Sequence, residues 1–150
     1  MARFTIRYVD LEGEMYQVEK DDFHSEIDLS DLGIKTLNLE PIGNCPRLEK
    51  LILNTNAISS IDLTPLSVCV RLKILSITSN KLETIDLRPL VRCRELEALE
   101  LSDNLLNDID LYPLKDCKNL KWLYLADNQL HEIDLSPFNG HSKLQYLVLS

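Results

Sequence analysis

The stretch Leu72-Lys73-Ile74-Leu75-Ser76-Ile77-Thr78-Ser79-Asn80-Lys81-Leu82, followed by Ile85-Asp86-Leu87-Arg88-Pro89-Leu90 and Cys93, returns with a period of 24 residues. Its L-x-x-L-x-L opening recurs at 48–53, 96–101 and 120–125, and starts once more at 144–149. Three residues beyond each complete opening stands Asn56, Asn80, Asn104 or Asn128, and two further on Ile58, Leu82, Leu106 or Leu130. A near-constant I-D-L-x-P phrase then closes each copy, at 61–65, 85–89, 109–113 and 133–137.

That spacing has a mechanical meaning. In L-x-L the two leucines point to one face of an extended strand and the residue between them to the other. One such strand cannot bury its apolar face alone, so the copies must lie side by side as a parallel sheet over a shared interior. The asparagine falls where the chain leaves the strand, and there a carboxamide can serve turn donors and acceptors as one rung of a ladder. Pro65, Pro89, Pro113 and Pro137 fit the first position of a short helical turn, where a missing N–H costs nothing. Thr64 and Ser136 precede two of them and are candidate caps. I-D-L alternates in-out-in and predicts a short extended segment on the outer side.

Four copies of L-x-x-L-x-L-x-x-N-x-L resemble the leucine-rich-repeat family, from about residue 24 to the end. The resemblance implies a right-handed α/β solenoid, with a curved parallel sheet on the concave side and short extended or helical turns on the convex side. It also implies a structural role for the four asparagines. The coils are 24–47, 48–71, 72–95, 96–119, 120–143 and a partial 144–150. The first is atypical: Leu32 replaces the asparagine and His24 the leading leucine, while Ile27 and Leu29 keep the strand positions. Residues 1–23 have another rhythm. Phe4, Ile6 and Tyr8 alternate, Glu12-Gly13 signals a turn, and an extended pattern resumes at Met15, so a β-hairpin is expected to cap the core. At the other end Leu144, Leu147 and Leu149 close the sequence with no polar coil after them. Open solenoid ends expose core and sheet edge. A fragment of a longer array is the favoured expectation, and an end-to-end homodimer through the C-terminal repeat is the rival.

The chain carries 24 acidic against 16 basic residues, a net charge of −8 over 150 residues. Nucleic acid and anionic membranes require the opposite excess, so neither is an expected partner. The longest apolar run, 122–126, is five residues, far short of the roughly 18 a membrane helix needs. With no signal-peptide-like opening, the expected location is cytoplasmic.

Side-chain chemistry points away from catalysis. Cys45, Cys69, Cys93 and Cys117 form a column one coil apart, with His141 in the fifth place. Zinc needs ligands that converge on one point, and parallel side chains do not, so these read as small buried hydrophobes. His141 is expected to end the column where the last coil is less enclosed. Asp62, Asp86, Asp110 and Asp134 offer one outward carboxylate per coil, too dispersed for calcium, and read as a solvated face with turn hydrogen bonds. No metal or cofactor is expected. No triad-like relation of histidine to serine, cysteine or carboxylate appears, nor any phosphate-cradling glycine loop, so no enzymatic activity is expected.

In the family that the chain resembles, outward strand positions line a concave face that commonly grips protein partners. Here these include Ile52, Ile74, Glu100, Trp122, Tyr124, Tyr146 and Val148, with Asp103 and Asp127 in the following turn. Trp122 is the only tryptophan, and aromatic anchors are enriched at interface hot spots; the alternative is that this cluster covers the C-terminal end by packing against a next repeat, and the two roles are compatible. The three acidic residues predict a partner with a basic group. Charge is also phased: 41–50 and its equivalents hold ten basic and four acidic residues, 51–64 and its equivalents two basic and ten acidic, so opposite flanks should differ in sign, either to orient a partner or as ordinary solubility charge with salt bridges across coils. Five strands with about three outward residues each offer roughly 15 contacts, fewer than the roughly 20–30 per side of a standard interface.

Overall fold

In the N-terminal segment, alternation sets which side chains turn inward. In β1 (Arg3–Asp10), Phe4, Ile6 and Tyr8 turn inward and are buried. The Asp10 carboxylate accepts the Glu12 and Glu14 N–H groups, and Gly13 at φ 88° reverses the chain into β2 (Met15–Asp21). The two strands are antiparallel, with Ile6 opposite Val18 and Tyr8 opposite Tyr16. The structure, a computed structural model, describes residues 2–149.

The hairpin does not stop at the expected boundary. After β3 (Glu26–Asp28), the outer arc of the first coil becomes a further strand, β4 (Ile34–Asn38), which pairs antiparallel with β1 and makes a three-stranded cap sheet in the order β2-β1-β4. The equivalent arcs of later coils have no free strand beside them and stay unpaired. The remaining strands are β5 (Lys50–Ile52), β6 (Ile74–Ser76), β7 (Ala98–Glu100), β8 (Trp122–Tyr124) and β9 (Tyr146–Val148). With β3 they form one parallel sheet of six strands in chain order. That is one more than the L-x-x-L-x-L openings supply, because the atypical first coil contributes β3 without its leading leucine. Register advances one period per strand: Ile27, Leu51, Leu75, Leu99, Leu123 and Leu147 lie abreast. From Ile27 to Leu123 these side chains are fully buried, each contributing about 2–3 kcal/mol relative to exposure.

The turn out of each strand is held from the next coil. Asn80 Oδ1 accepts the Ile58 N–H at 3.1 Å, and its Nδ2 donates to the carbonyls of Leu53 (2.9 Å) and Thr78 (3.0 Å). Asn104 does the same for Leu82 and Ile77, and Asn128 for Leu106 and Leu101. Asn56 reaches into the coil that lacks its own asparagine, accepting from the Leu32 and Ile34 N–H groups and donating to the Leu29 carbonyl.

On the outer side the proline phrases form 3-10 turns (Glu40–Asn44, Thr64–Val68, Arg88–Arg92, Tyr112–Leu114, Ser136–Phe138). Thr64 and Ser136 are not their caps. The turns start one residue earlier, at Leu63 and Leu135, and the aspartate accepts the backbone N–H of each turn's first residue: Asp62 from Thr64, Asp86 from Arg88, Asp110 from Tyr112 and Asp134 from Ser136, at 2.8–2.9 Å. Asp62, Asp86 and Asp134 are held below the ordinary carboxylate value by the side chains of Thr64, Arg88 and Ser136 and then by those N–H groups. The I-D-L stretches keep their in-out-in burial, yet no strand forms there.

The cysteines are buried behind these turns. The Cys45 thiol faces the His24 carbonyl at the start of its own coil, and each later thiol faces a carbonyl of the coil before: Cys69 to Cys45, Cys93 to Cys69 and Cys117 to Cys93, at 3.1–3.6 Å over the four. Burial pushes the thiols of Cys69, Cys93 and Cys117 up to about 12, so they stay protonated and pack as small apolar side chains. His141 is itself buried, although the leucines around it are less enclosed than in earlier coils. Its ring meets Phe138 edge-on at 5.1 Å, Nδ1 lies 3.4 Å from Lys118 Nζ, and Nε2 has no hydrogen-bond partner among the described residues.

Two outcomes follow from these contacts. Asn80→Ala strands the buried Ile58 N–H and should lower stability by about 2–3 kcal/mol in urea unfolding; an unchanged midpoint would remove the ladder from the list of stabilising elements. For His141, burial and then the Lys118 charge depress the native pKa below 6.5. The unfolded chain therefore binds the proton more readily, so stability present at neutral pH declines as the pH falls through about 6.5 and levels off below the native value. Melting curves of wild type and His141→Gln from neutral to mildly acidic pH should converge as the pH falls; parallel curves would contradict this.

Candidate functional site: the concave face

Three-residue strands with a buried central leucine leave two outward positions each. The first column reads Glu26, Lys50, Ile74, Ala98, Trp122, Tyr146, and the second Asp28, Ile52, Ser76, Glu100, Tyr124, Val148. Register places Trp122 between Ala98 and Tyr146, and Tyr124 between Glu100 and Val148. Trp122, Tyr124, Tyr146 and Val148 therefore form a two-by-two apolar block across β8 and β9. Tyr146 is 54% exposed, and the other three are half-buried. Lys121 Nζ sits 5.4 Å from the Trp122 ring centroid and bonds Glu97 Oε2 at 2.6 Å, which ties the indole's flank to the coil before.

Ile52 and Ile74 lie diagonally on β5 and β6, separated from the block by the strand carrying Ala98 and Glu100. Beside Ile52 and Ile74, and reaching the aromatic block only at Glu100, runs a polar chain that the pattern did not reveal. The Ser76 hydroxyl lies 2.8 Å from Asn54 Oδ1 and 2.7 Å from Glu100 Oε2, and with one proton it donates to one of them at a time. Asn54 Oδ1 also accepts the Thr78 N–H at 2.9 Å. Ser76 is 2% exposed because these neighbours roof it over. Repeat spacing alone would have found the three positions, since they are outward residues of adjoining coils, but not their hydrogen bonds.

Asp103 and Asp127 lie where the chain turns away from the strand. They belong to a series, Asp31, Thr55, Ser79, Asp103 and Asp127, with φ of 53–58°. Aspartate tolerates left-handed backbone better than most side chains, so a backbone demand accounts for them as well as a recognition role does. Both are exposed beside the second outward column, on the side of Glu100 and Tyr124. A separate groove of about 280 Å³ lies at the cap sheet, lined by Arg7, Tyr8, Val9, Met15, Thr36, Leu37 and Asn38, away from the aromatic block.

Among the described residues no group of three or more histidine, cysteine, aspartate or glutamate side chains is gathered as a metal would need, and no helix is long and apolar enough to cross a membrane. The arrangement thus offers an open apolar surface edged by carboxylates.

Comparison with known proteins agrees with this geometry. Residues 46–106 and 70–130 match the family model described as leucine rich repeat. No curated protein matches. Among solved structures, an internalin C2 from Listeria monocytogenes is similar at 28% identity and a TM-score of 0.66, covering 85% of this chain and 52% of that one. The functional domain of InlJ from the same organism, described as including a cysteine ladder, is 30% identical with a TM-score of 0.65, covering 83% of this chain and 24% of that one. A leucine-rich-repeat protein of Leptospira interrogans is 27% identical with a TM-score of 0.66, covering 79% and 31%. This chain spans about half the length of the first of these structures and less of the others. With the register, the asparagine bonds and the family match in agreement, the chain belongs to the leucine-rich repeat family.

Proposed function

We propose that this chain is a non-enzymatic protein-interaction module that holds a partner on its concave face. One observation carries the reading: Trp122, Tyr124, Tyr146 and Val148 form a contiguous apolar block on a face whose other outward positions are mostly small, polar or charged. Large aromatic side chains left at a sheet surface are the usual anchors of an interface. Glu100, Asp103 and Asp127 would receive a basic group of the partner, with Ser76 helping to position Glu100. The two outward columns and the turn residues supply fewer contacts than a standard interface uses, so the apolar pair Ile52 and Ile74 would have to share in the contact. A cytoplasmic setting is part of the proposal, supported by four free cysteines in a column.

A second reading has its own observation. Burial fades toward the C-terminal coil: Leu130, Ile133, Leu135, Leu144 and Leu147 are only partly buried, and Leu149 is 38% exposed, where equivalent residues of earlier coils are mostly closed off. A structural role, in which this end meets another copy or further repeats, would cover them.

Three measurements separate the readings. Trp122→Ala with Tyr124→Ala should weaken partner capture from source-cell lysate by roughly thirtyfold or more, a loss of at least about 2 kcal/mol for the pair, with little change in melting temperature. Since the chain has one tryptophan, its emission should also shift as the captured partner is titrated; undiminished capture by the double variant would refute the site. Light scattering across a wide concentration range addresses self-association: a growing mass supports end-to-end pairing, and a constant monomer mass opposes it.

A further inference from the structure

The convex surface carries a patch that the concave reading leaves unused. At the corner ending the 3-10 turn, residues two apart close a tight backbone bond: the Val70 N–H to the Val68 carbonyl, Arg94 to Arg92 and Lys118 to Asp116, all at 2.9 Å. These corners are equivalent by the 24-residue period, so the pair Val68 and Val70 lies beside the pair Arg92 and Arg94 on adjoining coils, whose 3-10 turns pack together. Val68, Val70 and Val91 are 40–46% exposed. Arg92 and Arg94 are exposed and, among the described residues, belong to no ion pair.

Single exposed valines are ordinary on protein surfaces. What sets these apart is their place on the coil next to two exposed arginines that, among the described residues, form no ion pair, on a chain of net charge −8. We propose that this corner docks a short acidic segment of another protein, with carboxylates on Arg92 and Arg94 and an aliphatic side chain over the valines. Charge complementarity selects the occupant. A guanidinium matches a carboxylate with two parallel hydrogen bonds, and desolvation by the neighbouring apolar side chains strengthens them. An extended polyanion, nucleic acid or an anionic bilayer, would also reach the acidic flank bearing Asp62, Asp86 and Asp110 and be repelled. A short segment remains within about one Debye length, roughly 8 Å, of the arginines. Asp116, in the Arg92 position of the next coil, bounds the patch and limits the match to the arginine pair. Because the corner lies opposite the strands, it is independent of the concave site.

The test titrates the isotope-labelled full chain with a synthetic peptide of alternating glutamate and leucine, and with its glutamine counterpart, following backbone amide shifts. Shifts at 68–70 and 91–94 with the glutamate peptide alone are expected. Arg92→Gln with Arg94→Gln should weaken binding by roughly tenfold or more. Val68→Ser with Val70→Ser should weaken it by roughly threefold to tenfold. Trp122→Ala with Tyr124→Ala should leave it unchanged. Melting curves check that each variant is folded, and all four convex side chains are exposed. Equal binding of the glutamine peptide, shifts confined to other regions, no effect of the arginine substitutions, or stronger binding of a DNA duplex or phosphatidylserine vesicles would each overturn the proposal.

Discussion

No coil of this protein satisfies its own interior. Each strand carries one central aliphatic side chain that lies against those of the neighbouring coils, and the turn N–H groups of Ile34, Ile58, Leu82 and Leu106 are met by the carboxamide of the following coil. Leaving either unmet is costly: about 2–3 kcal/mol for an exposed leucine and about 1–3 kcal/mol for a stranded buried donor. The coils are therefore stable only as a stack, and the stack tolerates one register.

That dependence explains the two ends. At the N-terminal side the first coil lacks its asparagine, yet Asn56 still reaches back to its turn, and its outer arc joins the hairpin as β4. The cap sheet thus grows out of the array rather than resting on it. At the other side β9 pairs along one edge alone, and the leucines around it are progressively less enclosed. The same dependence releases the outward positions from structural duty. A strand residue facing away from the core supports neither the leucine stack nor the carboxamide ladder, so it is free to be Ala98 in one coil and Trp122 in the next. Recognition chemistry collects there, and on the convex corners, for that reason.

Much of the architecture was legible because a repeat states each rule several times. The period marked the strands, the buried leucines, the proline turns and the stacked column of thiols, and Phe4, Ile6 and Tyr8 announced the hairpin. Other features escaped because they depend on contacts between residues far apart in sequence. Ile34, Leu37 and Leu39 carry the same pattern as later arcs, and only the free edge of β1 makes a strand of 34–38. Thr64 and Ser136 look like caps, but each turn starts one residue earlier, so the Leu66 and Phe138 N–H groups are taken by the carbonyls of Leu63 and Leu135. Asp103 and Asp127 look like recognition residues, whereas their positive φ shows that the backbone itself has a use for them.

The sequence by itself determined the fold class, the register and which side chains face away from the core, since a 24-residue period and strand alternation leave no other way to bury the leucines. Tertiary structure alone decided which outward side chains become neighbours: Trp122 beside Tyr146, Ser76 beneath Glu100 and Asn54, Val68 and Val70 beside Arg92 and Arg94. The physical reason is that alternation fixes the direction of a side chain from its own strand, whereas adjacency and hydrogen-bond geometry arise between coils and exist only once the coils have stacked.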